Sequence, residues 1–556
     1  MSLLTRVPPA EPVTAEGPSK GRRIFGRVLT ALALLLVLAA LVLPDQFSRF
    51  TVLAFLRIPG ELLVGIGLAL LLPPRPRKIV AAVLGAGLGL VLLVKLADIG
   101  FFIAFDRPFN LVFDWSFLPA AIGLVEESAG KAGALAAEIG ACLLIVAVLV
   151  LMALAAVRLM RVAAGQRKTV GRTAAVLAVV WIVCAVFGLQ FEQGEPIAAR
   201  TAASLVYHDA RQVSADLKDR EAFAQEVATD AYKNTPPDQL LTALRGKNVM
   251  LTFIESYGRV AVQDSDIAPA IDSLLDSGTK SLQAAGFDAR SGFLTSSTTG
   301  GGSWFAHSTL ESGTWVNNQQ RYNDLVGGDR LTLAKAFGNA GWRTVADEPS
   351  NFGDWPEGKF YGYDQVYDGR NVGYQGPAFS YASMPDQFTM KKFQDNELAK
   401  PGHPPLMTEI VLVSSHWPWA PLPRMVGWDQ VGDGSVYKPM PAQGLQLPEA
   451  WSSPANTRAA YGQSIQYSLN TLISYLQTYG DENTVMVFLG DHQPNTSVTG
   501  SDGASRDVPI TIVAKDPKVL DRVSSWGWTP GLRPDPHAPV WPMSAFRDRF
   551  LAAFSQ

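Results

Sequence analysis

"VMVFLGDHQP", residues 485–494, decides how the C-terminal half of this chain is read. Five apolar residues make a buried strand, Gly490 closes it, and Asp491 and His492 stand side by side before a proline turns the chain. A polar turn capping a core strand has this pattern. So does a metal site, since a carboxylate and an imidazole are ligands for divalent cations. Other strand ends separate the two readings.

"NVMLTFIES" (248–256) is a second apolar strand, and it ends in Glu255. "GWRTVADE" (341–348), "TEIVLVSSHW" (408–417) and "VPITIVAKD" (508–516) are further strand candidates. Helical stretches such as "TLAKAFGNA" (332–340) and "TRAAYGQSIQYSLNTLISYLQTYG" (457–480) lie between them. Strands alternating with helices predict an α/β domain with a largely parallel sheet. Ligands of such sheets bind beyond the carboxyl ends of the strands. That rule picks out Glu255, Asp347, Glu348, His416, Asp491 and His492.

"SSTTGGGSWFAHSTLESG" (296–313) adds a nucleophile. Gly300–Gly302 let the backbone approach a ligand closely, and Ser303 opens a helix. Helix N-termini stabilise anions, so a hydroxyl there is placed to attack a phosphorus atom. Thr298 and Thr299 are competing hydroxyls, and a flexible loop with an N-capping serine is the plain alternative. His307, on the same helix, is expected to face the core rather than the pocket, and His208 on a polar helical arm is expected to be solvated or packed.

The N-terminal part is of another kind. Five apolar segments, about 24–43, 52–72, 79–103, 132–157 and 173–189, each approach the ~20 residues that cross a bilayer. The first is too long for a cleavable signal and lacks a small-residue cleavage site. Basic residues precede the first segment (Lys20, Arg22, Arg23, Arg27), separate the second and third (Arg75, Arg77, Lys78), and separate the fourth and fifth (Arg158, Arg161, Arg167, Lys168, Arg172). The intervening loops are poor in Lys and Arg, so all three clusters fall on the cytoplasmic side and everything after residue 190 lies outside. The expected division is a cytoplasmic tail (1–23), a five-helix transmembrane domain (24–190), a helical linker (191–246) and an extracytoplasmic catalytic domain (247–556). "GAGLG" (85–89) reads as helix packing rather than nucleotide binding, since no strand precedes it. Arg57 and Glu61 are spaced to pair, and Lys95 and Asp98 are intramembrane charges that suggest either lipid handling or snorkelling. A net charge of −3 gives no electrostatic reason for nucleic-acid binding. The two cysteines, Cys142 and Cys184, lie in apolar runs and exclude a disulfide framework or thiolate metal site.

These motifs, in this order, resemble the alkaline phosphatase/sulfatase superfamily, and within it the lipoteichoic acid synthase-like branch and the related phosphoethanolamine transferases. The first strand with its terminal acid, "TTGGGS" before the nucleophile, "SSHWPW" and "GDHQP" carry the likeness. The resemblance implies one divalent metal, Mn²⁺ first with Mg²⁺ or Zn²⁺ as alternatives, held by Glu255, Ser303, Asp491 and His492. It implies Ser303 as catalytic nucleophile, with Thr299 as the alternative, and His416 as a catalytic and substrate-binding group. Trp304, Asp347, Trp355, Lys359 and Trp417 are the other substrate-binding candidates. The implied activity moves a glycerol phosphate-type group from a phospholipid, phosphatidylglycerol first, to a surface glycan or glycolipid at a bacterial membrane. A phosphoethanolamine transferase, a phosphodiesterase or phosphatase, and an inactive lipid- or glycan-binding scaffold are the alternatives. The branch's usual threonine nucleophile is serine here, Asp347 stands where a histidine is expected, and Lys359 is the nearest cation to an expected arginine. A single acid on the first strand and the lack of a Cys-x-Pro-x-Arg sequence argue against a sulfate-ester hydrolase.

Overall fold

The computed structural model describes residues 20–46, 49–105, 107–192, 195–500 and 504–555. The chain divides into two compact units. One comprises residues up to 213, less two short segments (103–107 and 112–116); the other comprises those segments and residues 214–556. The division falls inside the polar helical arm that the sequence marks as a connector, observed as one helix over Thr201–Ala228.

In the N-terminal unit, α1 (Lys20–Val42), α3 (Pro74–Phe105), α4 (Leu118–Gly165) and α5 (Arg167–Val186) each carry an apolar stretch long enough to cross a membrane. Gly130, at φ 72°, breaks α4 just inside the start of its apolar stretch. The second expected span is corrected. It is a helix, α2, only over Gly60–Leu71, preceded by a 3₁₀ turn (Leu53–Leu56) and two extended residues, Ile58 and Pro59. Pro59 forces Ile58 out of helical geometry, so the helix starts late. Twelve residues span about 18 Å, short of a ~30 Å hydrocarbon core.

Its direction is still fixed. A Cβ on Gly60 would lie 2.9 Å from Trp181 near the end of α5, and one on Gly171 near its start would lie 3.7 Å from Leu70. The two helices are therefore antiparallel. Ile58 and Pro59 pair with Ala198 and Ala199, just past α5. The segment before α2 thus lies at the level where α5 exits, and alternate helix ends carry the basic clusters. The protein is membrane-anchored with its C-terminal domain extracytoplasmic.

Several polar residues of this unit make specific contacts. Lys95 Nζ donates to the carbonyls of Ala40 and Leu43 at 2.9 and 2.8 Å, capping the C-terminus of α1. Asp98 Oδ1 accepts from Phe109 N. The expected Arg57–Glu61 pair is not formed: Arg57 lies 3.6 Å from Glu195 and donates to Val42 O, while Glu61 accepts from Ala203 N. Gly85 marks a close helix contact, since a Cβ there would meet the Ala153 backbone at 2.7 Å.

The C-terminal unit holds a nine-stranded mixed sheet. Its strands are β1 (Asn248–Ile254), β2 (Asp288–Thr295), β3 (Arg343–Glu348), β4 (Gln365–Asp368), β5 (Leu406–Leu412), β6 (Thr484–Gly490), β7 (Asp507–Ala514), β8 (Thr529–Pro530) and β9 (Val540–Pro542). The order is β8-β2-β7-β6-β1-β5-β3-β4, with β9 added to β2. Strands β6, β1, β5, β3 and β4 are parallel, and β7 runs against β6. β1, β5 and β6 are buried along their whole length, which explains their near-continuous apolar sequences. Separate apolar clusters cover the two faces of the sheet. The C-terminal helix (Phe546–Phe554) packs Phe546, Phe550, Leu551 and Phe554 into one of them, as its amphipathic pattern predicts.

Candidate active site

Register assembles the site. Ile254, the last residue of β1, is level with Leu412 of β5 on one side and Gly490 of β6 on the other. The next residues, Glu255 and Asp491, therefore emerge together at the carboxyl edge. Gly490 is required there, because a Cβ would sit 1.9 Å from the carbonyl oxygen of Tyr257. Ser256 adopts φ 58°, a left-handed conformation uncommon for serine, and this aims its N–H at Asp491 Oδ1, 2.7 Å away. His492 N donates to the same oxygen at 2.7 Å. Asp491 Oδ2 is buried with no hydrogen-bond partner among the described residues.

Ser303 arrives from a third direction. Gly300 and Gly302 have φ of 71° and 76°, and Ser303 is the first residue of α6 (Ser303–Ser312). Ser303 Oγ donates to Glu255 Oε2 at 3.0 Å and lies 3.3 Å from His492 Nε2. Thr299 is held in a bridge with Gln493 and does not line the cavity.

His492 Nδ1 lies 2.8 Å from the carbonyl oxygen of Gln493, which can only accept. Nδ1 thus carries the proton and Nε2 keeps its lone pair. That lone pair faces Glu255 Oε1 at 3.4 Å and Asp491 Oδ2 at 3.5 Å. Two carboxylates, an imidazole lone pair and a hydroxyl converge in a buried space, and an orphaned carboxylate oxygen is among them. This donor set fits a divalent cation. Charge crowding shows in the ionisation. Burial and the neighbouring Glu255 push Asp491 up to about 6. Burial would raise Glu255 too, but the imidazoles of His416 and His492 hold it down at about 2.

A cavity of about 650 Å³ opens over this centre. Trp304, Trp355, His416 and Trp417 line it, as the sequence suggests. His416 Nδ1 is 2.6 Å from Trp417 O, and its ring stacks on Tyr381 at 3.7 Å. Two candidates lie elsewhere. Asp347 and Glu348 are adjacent on β3 and point to opposite faces, and Glu348 is the one that lines the cavity. Asp347 is buried with both oxygens lacking hydrogen-bond partners among the described residues, and burial pushes its carboxyl well above the usual range. Lys359 is exposed and does not line the cavity.

Sequence reading missed other wall residues. Glu409 sits in mid-strand, inside an apolar run, where no strand-end rule points. His307, expected in the core, is buried against Phe253 and also lines the cavity. Its four-residue spacing from Ser303 was the available signal, since i and i+4 share a helix face. Tyr381 lies in a loop without a motif.

Residues 303–508 match the sulfatase family model. No curated protein matches the sequence. Among solved structures, the chain is similar to the lipoteichoic acid synthase LtaP from Listeria monocytogenes, at 17% identity over 50% of this chain and 68% of that one, with a TM-score of 0.35. It is similar to the Streptococcus pyogenes phosphoglycerol transferase GacH in complex with sn-glycerol-1-phosphate, at 14% identity, 52% and 74% coverage and a TM-score of 0.34. The soluble domain of lipooligosaccharide phosphoethanolamine transferase A from Neisseria meningitidis gives 12% identity, 58% and 95% coverage and a TM-score of 0.36.

Proposed function

We propose that this protein is a membrane-anchored, metal-dependent phosphotransferase that moves a phosphoryl-linked alcohol from a phospholipid to a surface glycan or glycolipid. The observation that carries this reading is the position of Ser303 Oγ. It stands at a helix N-terminus, 3.0 Å from Glu255 Oε2 and 3.3 Å from His492 Nε2. Glu255, Ser303, Asp491 and His492 would hold one divalent cation, Mn²⁺ first, with Mg²⁺ or Zn²⁺ as alternatives. When bound, the cation supplies the positive charge that lowers the pKa of the serine hydroxyl.

The ionised Ser303 oxygen attacks the phosphorus of the lipid. The bond from phosphorus to the diacylglycerol oxygen breaks, and protonated His416 gives that oxygen a proton. The N–H groups of the first turn of α6 face the phosphoryl oxygens. A phosphodiester on Ser303 results. In the second step the acceptor hydroxyl returns a proton to His416 and attacks phosphorus, and the Ser303 oxygen leaves. Nδ1 of His416, tied to the Trp417 carbonyl, leaves Nε2 as the exchanging atom. Trp417, 46% exposed, offers a surface on which a sugar ring can stack.

The test is diacylglycerol release by the full chain in detergent with Mn²⁺, from fluorescent phosphatidylglycerol and phosphatidylethanolamine supplied separately. Release from one lipid, lost in Ser303→Ala, is expected. Release that survives Ser303→Ala would refute the serine mechanism, and release that needs no acceptor beyond water would make the protein a phosphodiesterase.

A further inference from the structure

A second group of ligand-type side chains stands in the same cavity, and the chemistry above does not use it. His307, Glu348 and Glu409 each bring a nitrogen or a carboxylate oxygen to within 4.8 Å of the others. They come from three elements: α6, the end of β3 and the middle of β5. Ala346 is the register partner of Glu409, and strand alternation puts Glu348 on the same face as Ala346.

Carboxylates in a cleft are common; the imidazole is what marks this cluster. His307 is 8% exposed and stacks on Phe253 at 3.9 Å. Its Nδ1 lies 3.3 Å from Glu409 Oε1, and Tyr363 Oη donates to Glu409 Oε2 at 2.7 Å. With Nδ1–H given to Glu409, Nε2 retains a lone pair. That atom is buried and has no hydrogen-bond partner among the described residues. A carboxylate behind one nitrogen is the arrangement by which proteins orient an imidazole so that its other nitrogen binds a cation. Among the described residues lining the cavity there is no lysine or arginine to balance Glu348 and Glu409.

We infer that His307 Nε2 and Glu348, with Glu409 orienting the imidazole from behind Nδ1, form a second divalent-cation site beside the one at Ser303. Its oxygen and nitrogen donors suit Mn²⁺ or Zn²⁺. Its use in phosphoryl transfer rests on the function proposed above: a second positive charge at this end of the cavity would receive the non-reacting oxygens of the phosphoryl group or its alcohol, as in two-ion centres. Its existence does not depend on that function.

The experiment is metal stoichiometry. The full chain in detergent is stripped with chelator, dialysed against Mn²⁺ alone or Zn²⁺ alone, and its metal content measured at saturation by mass spectrometry. Two ions per wild-type chain are expected. One is expected to remain in Glu348→Gln, in His307→Gln and in Asp491→Asn, each with a cooperative thermal unfolding transition. A wild-type plateau of one ion or none would overturn the site, as would a plateau of two that Glu348→Gln and His307→Gln leave unchanged. Diacylglycerol release measured alongside separates the claims. Two ions without turnover supports the site and overturns the phosphotransfer reading, while one ion with turnover does the reverse.

Discussion

Replacing Gly490 by alanine tests whether strand register builds the active site. Gly490 ends β6 beside Ile254, and the added Cβ would lie 1.9 Å from Tyr257 O and 2.7 Å from Tyr257 C. Carbon contacts below 3.0 Å are essentially not tolerated, so one chain must retreat by about 1.1 Å. The obstacle is backbone, so no side chain can rotate out of the way. The retreat separates the exit of β1 from that of β6, which are joined by the 2.7 Å bond from Ser256 N to Asp491 Oδ1. Glu255 and Asp491 then move apart.

Misplacing reacting groups by 1 Å costs about 10²-fold in rate. Overpacking of this kind destabilises by about 1–3 kcal/mol, so the fold should survive. Gly490→Ala is expected to lower diacylglycerol release about 100-fold and to weaken Mn²⁺ binding, with a cooperative unfolding transition retained. Gly338→Ala is the control: its Cβ would meet only a methyl group of Thr344 at 3.6 Å, and activity should be unchanged. Wild-type turnover and metal affinity in folded Gly490→Ala would refute the claim that this close approach sets the site.

Ser303→Ala should remove lipid turnover by at least about 10³-fold, whereas Thr299→Ala should change it less than about threefold, a contrast read in the same release assay. Metal binding should weaken as pH falls through about 6, because Asp491 is pushed up to about 6 by burial and Glu255, and its proton must leave for a cation to bind; titration with Mn²⁺ at pH 5 to 8 checks this, and a flat affinity would contradict it. The Asp230 side chain is fully buried between Arg547, at 2.9 Å, and Arg330, at 3.2 Å. Asp230→Asn should destabilise the protein by about 3–5 kcal/mol, the cost of breaking a buried ion pair and leaving Arg330 without its carboxylate, while Arg547 keeps Asp548 at 2.7 Å. Burial raises the Asp230 carboxyl, but Arg547 outweighs it and holds the group below its usual value. Its contribution is therefore complete above the ordinary carboxylate pKa of about 4 and lost as pH falls through the lower folded value, so denaturant melts of wild type and variant should converge in acid.

Sequence was most informative where one physical rule acts alone. β1, β5 and β6 are buried on both faces, so each is an unbroken apolar run that stops at a polar residue. Glu255, Asp491 and His492 stood out because polarity appears abruptly at those stops. Ser303 stood out because glycines precede it, and two of those glycines do adopt left-handed φ. Where two rules compete, the reading blurred. β2 was missed because its sequence, "DARSGFLT", mixes polar residues and a glycine, and Gly292 is there only because a Cβ would strike Trp528 at 2.6 Å. The second membrane segment looked like a uniform span, yet one proline shortened its helix to twelve residues.

The cavity wall shows why composition at a strand end does not specify a site. Asp347 and Glu348 are chemically alike and adjacent, and the period of two along a strand sends one to the cavity and the other to the opposite face. Only the register of β3 against β5 decides which: Asp347 pairs with Ile410, and Ala346 pairs with Glu409. Glu409 in turn is invisible to any rule about strand ends, since it lies in mid-strand and is matched by a histidine one helical turn beyond Ser303. A buried acid inside an apolar strand is tolerated only with partners, and Tyr363 and His307 are those partners. An isolated carboxylate in "LMTEIVL" was therefore a signal that a donor must approach from another element, and the helix after Ser303 is the element that packs over that face of the sheet.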